Sequence, residues 1–421
     1  MKTYAIASLG CKVNDYEATC IKNELNEFLE EVPFDSIADV YLIFTCCVTN
    51  VAEAKTRKYI HKARRQNSNS LVVAIGCLSQ IKGNSEDFVD VDLVIGSSNK
   101  DKVVSFIKSN IKGNYVEDVN SFKYENLFLN NYPGKSRAFV KIEDGCNQFC
   151  TYCVIPYTRG RQRSANHVDV LKQIELLSRN YHEIVLTGIH TGRYDDGEYN
   201  LFLLLKDILN KTNISTVRLS SIEMNEISDE IIDLIKSSNN RIAHHLHIPV
   251  QALSNSVLKD MHRPYTIEEY INKINYIRSE IPDISISTDL IVGFPNETDE
   301  IFKESLSNLE KIQFSFIHCF PYSRKSGTVA DSMKGHIDPK VKKERAALIS
   351  NLESKYTLAY NKSFIGKIVE VLIEKTEENE SFGYSKQYFY VSVNSRIDIG
   401  MIVKVKIVDV TCDKIVGELC I

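Results

Sequence analysis

The segment Cys146-Asn147-Gln148-Phe149-Cys150-Thr151-Tyr152-Cys153 carries three thiols in a C-x3-C-x2-C pattern. Three thiolates on one tight loop can ligate three irons of a cubane iron–sulfur cluster. No fourth Cys follows at ferredoxin-like spacing. One iron would then be open to an external group bound through oxygen and nitrogen. Zinc is the alternative metal, but its structural sites are closed by four ligands. The chain holds eleven Cys, at 11, 20, 46, 47, 77, 146, 150, 153, 319, 412 and 420. An odd total excludes complete pairing within one chain, and disulfide scaffolds suit small secreted chains. Met1–Cys11 has the outline of a lipoprotein cleavage site, but its apolar run is too short and is interrupted by polar residues. No stretch reaches about 18 uninterrupted apolar residues, so no membrane span is expected. A reducing, cytoplasmic setting follows, where clustered Cys point to metal or catalysis rather than bridges.

The elements that must position these thiols can be read from the apolar pattern. A chain of 421 residues, at about 150 residues per domain, divides into two or three units. With 43% hydrophobic and 25% charged residues it is a globular composition rather than a disordered one. A net charge of −4 excludes a globally basic nucleic-acid coat but leaves room for a local basic face. Residues 3–9, 40–45 and 71–75 read as strands, and 15–29 and 50–65 as helices, the alternation of a parallel α/β sheet. Cys11, Cys46 and Cys77 then fall at the C-terminal ends of three strands, the edge where open α/β sheets bind ligands. Residues 113–136 read as a polar connection. From 137 to 361, strand candidates at 138–142, 184–186, 216–219, 245–248, 284–291 and 314–318 alternate with helical patterns at 169–178, 228–237 and 267–279. Repeated βα units of this length predict a complete or partial barrel. Residues 362–421 are β-rich, with Gly366, Gly383, Gly400 and Gly417 read as turns, and predict a small barrel. The expected division is 1–112, a linker 113–136, 137–361 and 362–421.

The cysteine loop at the start of a βα barrel resembles the signature of the radical S-adenosylmethionine enzymes. The resemblance implies a [4Fe–4S] cluster on Cys146, Cys150 and Cys153, whose open iron chelates the amino and carboxylate groups of S-adenosylmethionine. One electron from the cluster then cleaves the sulfonium to a 5′-deoxyadenosyl radical, and Tyr152 packs beside the adenine. The longer run Asp144–Cys153 to Val154-Ile155-Pro156-Tyr157-Thr158-Arg159-Gly160-Arg161 is similar to the methylthiotransferases. So are Leu186-Thr187-Gly188, Arg218-Leu219-Ser220-Ser221-Ile222-Glu223, His245-Leu246-His247-Ile248-Pro249-Val250-Gln251, Met261-His262-Arg263-Pro264-Tyr265-Thr266, Asp289–Pro295 and Phe320-Pro321-Tyr322-Ser323. These recur in order over nearly the whole chain.

That family binds an auxiliary [4Fe–4S] cluster with three Cys of its first domain. Cys11, in Leu9-Gly10-Cys11-Lys12-Val13-Asn14, matches the first, and Cys77, in Gly76-Cys77, the third. The family's Asn-Thr-Cys-x-Val corresponds here to Phe44-Thr45-Cys46-Cys47-Val48, and alignment on the flanking Thr and Val selects Cys46 over its neighbour Cys47. Cys20, Cys319, Cys412 and Cys420 read as small core residues. The implied fold is a Rossmann-like N-terminal domain, a partial (βα) radical barrel and an OB-like TRAM barrel.

Two S-adenosylmethionine molecules are implied, one a methyl donor to cluster-associated sulfur and one the radical source, together with an external one-electron reductant; the residues do not name the sulfur donor. The product carbon gains C–S–CH3 at an unactivated C–H, so no acid–base pair is expected to carry the chemistry. His245, His247, Gln251, Arg263 and Asp289 are the expected positioning groups, Arg263 foremost because a guanidinium engages a carboxylate through two bonds. Leu9–Glu17 is similar to the branch acting on N6-threonylcarbamoyladenosine in tRNA, beside the anticodon. The isopentenyladenosine branch usually has Gly-Cys-Gln-Met-Asn, and the ribosomal-protein aspartate branch Gly-Cys-Pro-Lys-Asn. A cluster-bearing RNA-binding or electron-transfer protein is the non-enzymatic alternative. Lys55, Arg57, Lys58, Lys62, Arg64 and Arg65 on one helix, with Arg159, Arg161 and Arg163 after the radical loop, are the expected phosphate contacts. Residues 364–421 carry seven Lys/Arg against nine Asp/Glu. RNA binding there must rest on a local strip or on stacking by Tyr384, Tyr388, Phe389 and Tyr390.

Overall fold

The computed structural model describes residues 2–420. Its N-terminal sheet holds six strands: β1 (Thr3–Ser8), β2 (Glu30–Glu31), β3 (Val40–Thr45), β4 (Leu71–Gly76), β5 (Leu93–Ile95) and β6 (Gly113–Tyr115), all parallel, in the order β2-β1-β3-β4-β5-β6. Every residue of β3 and β4 is buried. Their unbroken apolar runs reflect a parallel sheet covered on both faces. Leu42, Phe44, Val73 and Ile75 enter the core on one face, and Tyr41, Ile43, Val72 and Ala74 the core on the other. Helix α1 (Lys12–Leu25) follows β1, α2 (Asn50–Gln66) follows β3 and α3 (Cys77–Lys82) follows β4. Thr49 caps α2, its hydroxyl accepting from the Ala52 amide at 3.1 Å.

Helix α1 is buried nearly all round. Ala18, Ile21 and Leu25 pack into the N-terminal sheet's core, while Tyr16 and Cys20 belong to the core of the next unit. A helix without a solvent face is one shared between two cores. The next unit runs through β7 (Ala138–Lys141), the short ribbon of β8 (Glu143–Asp144) and β9 (Arg163–Ser164), and then β10 (Glu183–Thr187), β11 (Thr216–Leu219), β12 (His245–His247), β13 (Ser285–Val292) and β14 (Phe316–Pro321). Parallel sheets β11-β10-β7 and β12-β13-β14 are joined by bridges between Val217 and Ile242 and between Ser221 and His247. The result is an incomplete barrel, open between β7 and β14, with α1 packed beside β7.

After the long helix Pro339–Lys362, strands β15 (Ile368–Glu377), β16 (Glu380–Ser385), β17 (Tyr390–Val393), β18 (Ile402–Val410) and β19 (Ile415–Leu419) close a small barrel. Its β16–β17 turn is pinned to the larger barrel. Arg218 donates to the carbonyls of Ser385 (3.2 Å) and Lys386 (3.1 Å), and Tyr388 stacks on His245 at 4.6 Å.

Several expectations are corrected. Residues 113–115 pair with β5 and end the N-terminal sheet, so the connection starts later than 113. The remainder of it is packed rather than free, with Leu127, Leu129 and Tyr132 inside the barrel core. Helix α1 starts at Lys12 instead of 15, because the chain turns directly into helix from Cys11, whose extended φ of −95° makes it the N-cap without a side-chain cap bond. Gly383 and Gly417 lie within strands, not turns. A Cβ on Gly383 would sit 1.9 Å from the Leu372 carbonyl oxygen, so close backbone approach demands the glycine. Cys412 is exposed and Cys420 half-buried, so neither is a core residue.

Candidate cluster sites

Cys146, Cys150 and Cys153 occupy the loop after β8 as free, half-buried thiols. The loop is held by short bonds: Cys146 N to Gly160 O at 3.1 Å, Thr151 N to Met261 O at 3.2 Å, and Cys153 N to Cys150 O at 3.0 Å. Gly145 turns the chain into it at φ +84°, and a Cβ there would meet the Arg161 carbonyl oxygen at 2.1 Å. Donors already point at the sulfurs. The Gln148 amide lies 3.4 Å from Cys146 Sγ, His190 Nδ1 is also 3.4 Å from it, and Arg263 lies 3.5 Å from Cys150 Sγ. Three thiols with positive groups and amides around them fit a cluster held through three irons. His190 and its partner Glu226 (2.6 Å) were not singled out by the sequence. Burial works against charging His190, yet its contacts with Cys146 and Glu226 push it up to about 10. Its signal was slight, two residues past the Leu186-Thr187-Gly188 motif.

Tyr152 packs edge-on to Phe294 with ring centroids 6.4 Å apart, beside this loop. Arg263 is almost fully buried and already engages Glu223, the Tyr265 hydroxyl and the Pro249 carbonyl. Deeper in the barrel, the Ser287 hydroxyl bridges His245 Nε2 and His247 Nδ1, each at 2.9 Å. His247 Nε2 lies 3.4 Å from the Asp289 carboxylate. Gln251, at φ +66°, exchanges backbone bonds with Asp289 and Ile291. The expected positioning residues thus form two groups: Tyr152 and Arg263 at the cysteine loop, His245, His247, Gln251 and Asp289 along β12 and β13.

Cys11, Cys46 and Cys77 come together at the C-terminal ends of β1, β3 and β4. Cys11 starts α1 and Cys77 starts α3, so each thiol sits at a helix N-terminus, where free amides favour negative charge. Cys46 Sγ faces Gly10: a Cβ at that glycine (φ +103°) would come within 3.0 Å of it. Cys47 is fully buried in the apolar cluster with Tyr41, Ile60 and Leu78, a cluster that also takes in Cys77. Its neighbour Cys77, followed by burial, holds the Cys47 thiol well above its ordinary value.

Arg159 reaches the same site from the barrel unit. It is fully buried, with Nε 3.3 Å from Cys77 Sγ, one arm 2.6 Å from Asn14 Oδ1, and contacts of 3.1 Å to Asp144 and 3.2 Å to Glu17. Lys100 and Lys141 also bind Glu17, at 2.9 and 2.8 Å, and Arg163 binds Asp144 at 3.0 Å. Four cations therefore face two carboxylates. Burial would raise Glu17, but Arg159, Lys100 and Lys141 hold its carboxyl far below the ordinary range. The bond from Cys47, followed by Arg159 and Lys100, draws the Cys77 thiol below its ordinary value against the opposing effect of burial. Such an excess of buried positive charge is matched by a thiolate-bound cluster, so the donor set fits one. Asn14, Glu17 and Arg159 all lay within the quoted motifs, but nothing in residue type marked their convergence.

The expected phosphate contacts divide. Arg159 is overturned by its burial. Arg163 is used up by Asp144 and by the Arg159, Arg161 and Lys123 carbonyls. Arg64 is tied to Asp92 at 2.6 Å and to three carbonyls, Arg57 faces Asp87 at 3.5 Å, and Lys62 pairs with Asp35. Lys55, Lys58 and Arg65 are exposed with no carboxylate partner among the described residues, and Arg161 is exposed with its guanidinium over Phe149. Phe389 belongs to the small barrel's core and, with Tyr384, Tyr388 and Tyr390, lines a cavity of about 750 Å³ between the two barrels, where Tyr384 stacks on Tyr388 at 4.8 Å.

Residues 140–309 match the family described as the radical SAM superfamily, and residues 3–96 the one described as uncharacterized protein family UPF0004. A relative from Bacillus subtilis (strain 168), named threonylcarbamoyladenosine tRNA methylthiotransferase MtaB, is 39% identical over 97% of this chain and 94% of its own. Another, from Thermodesulfovibrio yellowstonii, named tRNA-2-methylthio-N(6)-dimethylallyladenosine synthase, is 34% identical over 98% of each chain. Among solved structures, the radical S-adenosylmethionine methyltransferase TsrM from Kitasatospora setae shares the fold, with a TM-score of 0.56 at 12% identity over 79% of this chain and 77% of that one. No helix is long and apolar enough to cross a membrane among the described residues.

Proposed function

The chain belongs to the radical S-adenosylmethionine methylthiotransferase family, and we propose that it converts N6-threonylcarbamoyladenosine at position 37 of tRNA, beside the anticodon, to its 2-methylthio derivative in the cytoplasm. As a member it is an enzyme using a [4Fe–4S] cluster and S-adenosylmethionine, which replaces the non-catalytic reading. The substrate assignment is carried by the Bacillus relative's name and identity. The Leu9–Glu17 motif supports it.

Cys146, Cys150 and Cys153 would hold the radical cluster, which when bound supplies the electron that cleaves S-adenosylmethionine. Tyr152 and Arg263 shape that site from the loop and from the segment after Pro249. Cys11, Cys46 and Cys77 would hold a second cluster, which supplies sulfur for methylation. Arg159 orients Cys77 and offsets the thiolate charge. The β12–β13 residues His245, His247, Gln251 and Asp289 would position S-adenosylmethionine or the auxiliary sulfur. Lys55, Lys58, Arg65 and Arg161 offer phosphate contacts, and the aromatic cavity at Tyr384 and Tyr388 offers bases a stacking surface. An external one-electron reductant and a sulfur donor complete the cycle.

Isopentenyladenosine is the competing tRNA substrate, favoured by the 34%-identical Thermodesulfovibrio relative. Nucleoside mass spectrometry of tRNA from cells with and without the gene separates them. Loss of 2-methylthio-threonylcarbamoyladenosine supports the assignment; loss of the methylthio-isopentenyl nucleoside alone overturns it.

A further inference from the structure

Lys12 directly follows Cys11 and stands in a recess of about 280 Å³ where the N-terminal domain, the radical barrel and the small barrel meet. Lys135, Arg137 and Arg218 share its wall with Glu374, Tyr384 and Tyr388. Arg137 and Arg218 divide one buried carboxylate, Glu183, at 3.2 and 3.0 Å, and Arg137 also meets Glu374. Their guanidinium planes lie over Tyr384 (5.4 Å) and Tyr388 (4.9 Å), which fixes them toward the recess. Lys12 and Lys135 have no ion-pair partner among the described residues, and the buried Nε of Arg137 has no acceptor among them. Asp289 is the acidic group that Lys12 senses from the barrel side. Four cations thus converge on a small recess with too few anions, next to the thiol that begins the dispersed cysteine site.

The recess is near the lower bound of about 300 Å³ for small-ligand pockets, so it suits a substituent rather than a nucleotide. The larger aromatic cavity adjoins it through Tyr384 and Tyr388. We propose that Lys12, with Arg137, binds the carboxylate of the threonylcarbamoyl group and so selects that adenosine over uncharged N6-substituted ones; Arg218, whose guanidinium is spent on Glu183 and the Ser385 and Lys386 carbonyls, adds only its charge behind them. The inference rests on the threonylcarbamoyladenosine reading and deepens it. An ammonium offers a carboxylate charge-assisted bonds that an apolar isopentenyl group cannot use. A phosphate of the RNA backbone would meet the same cations, so the test must separate the two sources.

Reconstituted holoenzyme is titrated with three anticodon stem-loops of one sequence, carrying threonylcarbamoyladenosine, its uncharged threoninamide analogue, or plain adenosine at position 37. The expected result is that the first binds about 10- to 100-fold more tightly than the other two. Lys12→Gln removes that preference with iron content unchanged, and Lys12→Arg keeps it. Arg137→Gln, remote in sequence from the cysteines, gives a second loss of preference should Lys12→Gln disturb the neighbouring cluster. If both Gln variants retain the preference, or weaken all three stem-loops equally as a phosphate contact would, the inference is overturned. If the wild type methylthiolates threonylcarbamoyladenosine without preferring the carboxylate, the inference fails and the proposed function stands. If the wild type methylthiolates none of the three, the proposed function fails as well.

Discussion

The two cysteine triads are assembled by opposite means. The 146–150–153 triad lies on one loop, needs only local turns to converge, and is bordered by single partners such as His190 and Arg263. The 11–46–77 triad is drawn from three strand ends and is closed by Arg159 from another domain. The difference teaches that a local site can be assembled by its own segment, whereas a dispersed site inherits the stability of everything between its parts.

The largest effect that tests this contrast is ligand removal. Cys150→Ala and Cys77→Ala each abolish turnover, but each should lower iron from about eight to about four atoms per chain. Loss of both clusters from Cys150→Ala would break the comparison, because it would make the loop site depend on the dispersed one. Next comes the brace. Arg159→Met takes one buried partner from Glu17, Asp144, Asn14 and Cys77 at once and should cost the metal-free protein about 3–5 kcal/mol in denaturant unfolding. Arg263→Met at the loop site, whose partner Glu223 is part-exposed, should cost only about 1–3 kcal/mol. Equal costs would erase the distinction.

Acid exposes the same brace. Glu17 is held below its unfolded value of about 4.3, so its contribution is complete above that pH and is lost as pH falls through the folded value. Glu17→Gln should therefore be less stable than wild type at pH 7, with the gap narrowing below about pH 4 in unfolding midpoints. A gap independent of pH would show that packing, not charge, is what Glu17 supplies. Cys46→Ala should lose the second cluster, while Cys47→Ala keeps it and costs about 1 kcal/mol; iron counting with the reverse outcome moves the ligand to Cys47. The smallest effect lies at the surface. Arg65→Ala should reduce the salt slope of tRNA binding by about 1, while Arg64→Ala, whose guanidinium is tied to Asp92, lowers stability instead.

Legibility in the sequence followed the same division. The loop triad is three positions in one short window, and the strands β3 and β4 are apolar runs, so both could be read directly. The barrel's βα alternation was equally plain. What stayed hidden was anything that depends on which faces meet. Arg159 looks like one of three arginines in a basic stretch, and only the docking of α1 turns it inward onto Glu17. Gly383 and Gly417 look like turns because glycine usually marks them; the close approach of neighbouring strands, a tertiary fact, keeps them inside the sheet. Residues 113–115 carry too little apolar character to read as a strand, and they pair only because β5 leaves an edge.

Helix α1 has a further consequence for synthesis on the ribosome. Its Tyr16 hydroxyl waits for the Leu127 carbonyl and for Gln173, a residue 157 positions later in the chain. At about 5–20 residues per second, that interval lasts on the order of ten seconds. During it the N-terminal sheet can form, yet one side of its first helix stays apolar and unclaimed. The growing chain therefore carries a sticky half-domain through much of its translation, and any slowing of elongation before residue 173 lengthens the period in which a nascent neighbour or a chaperone can occupy that side.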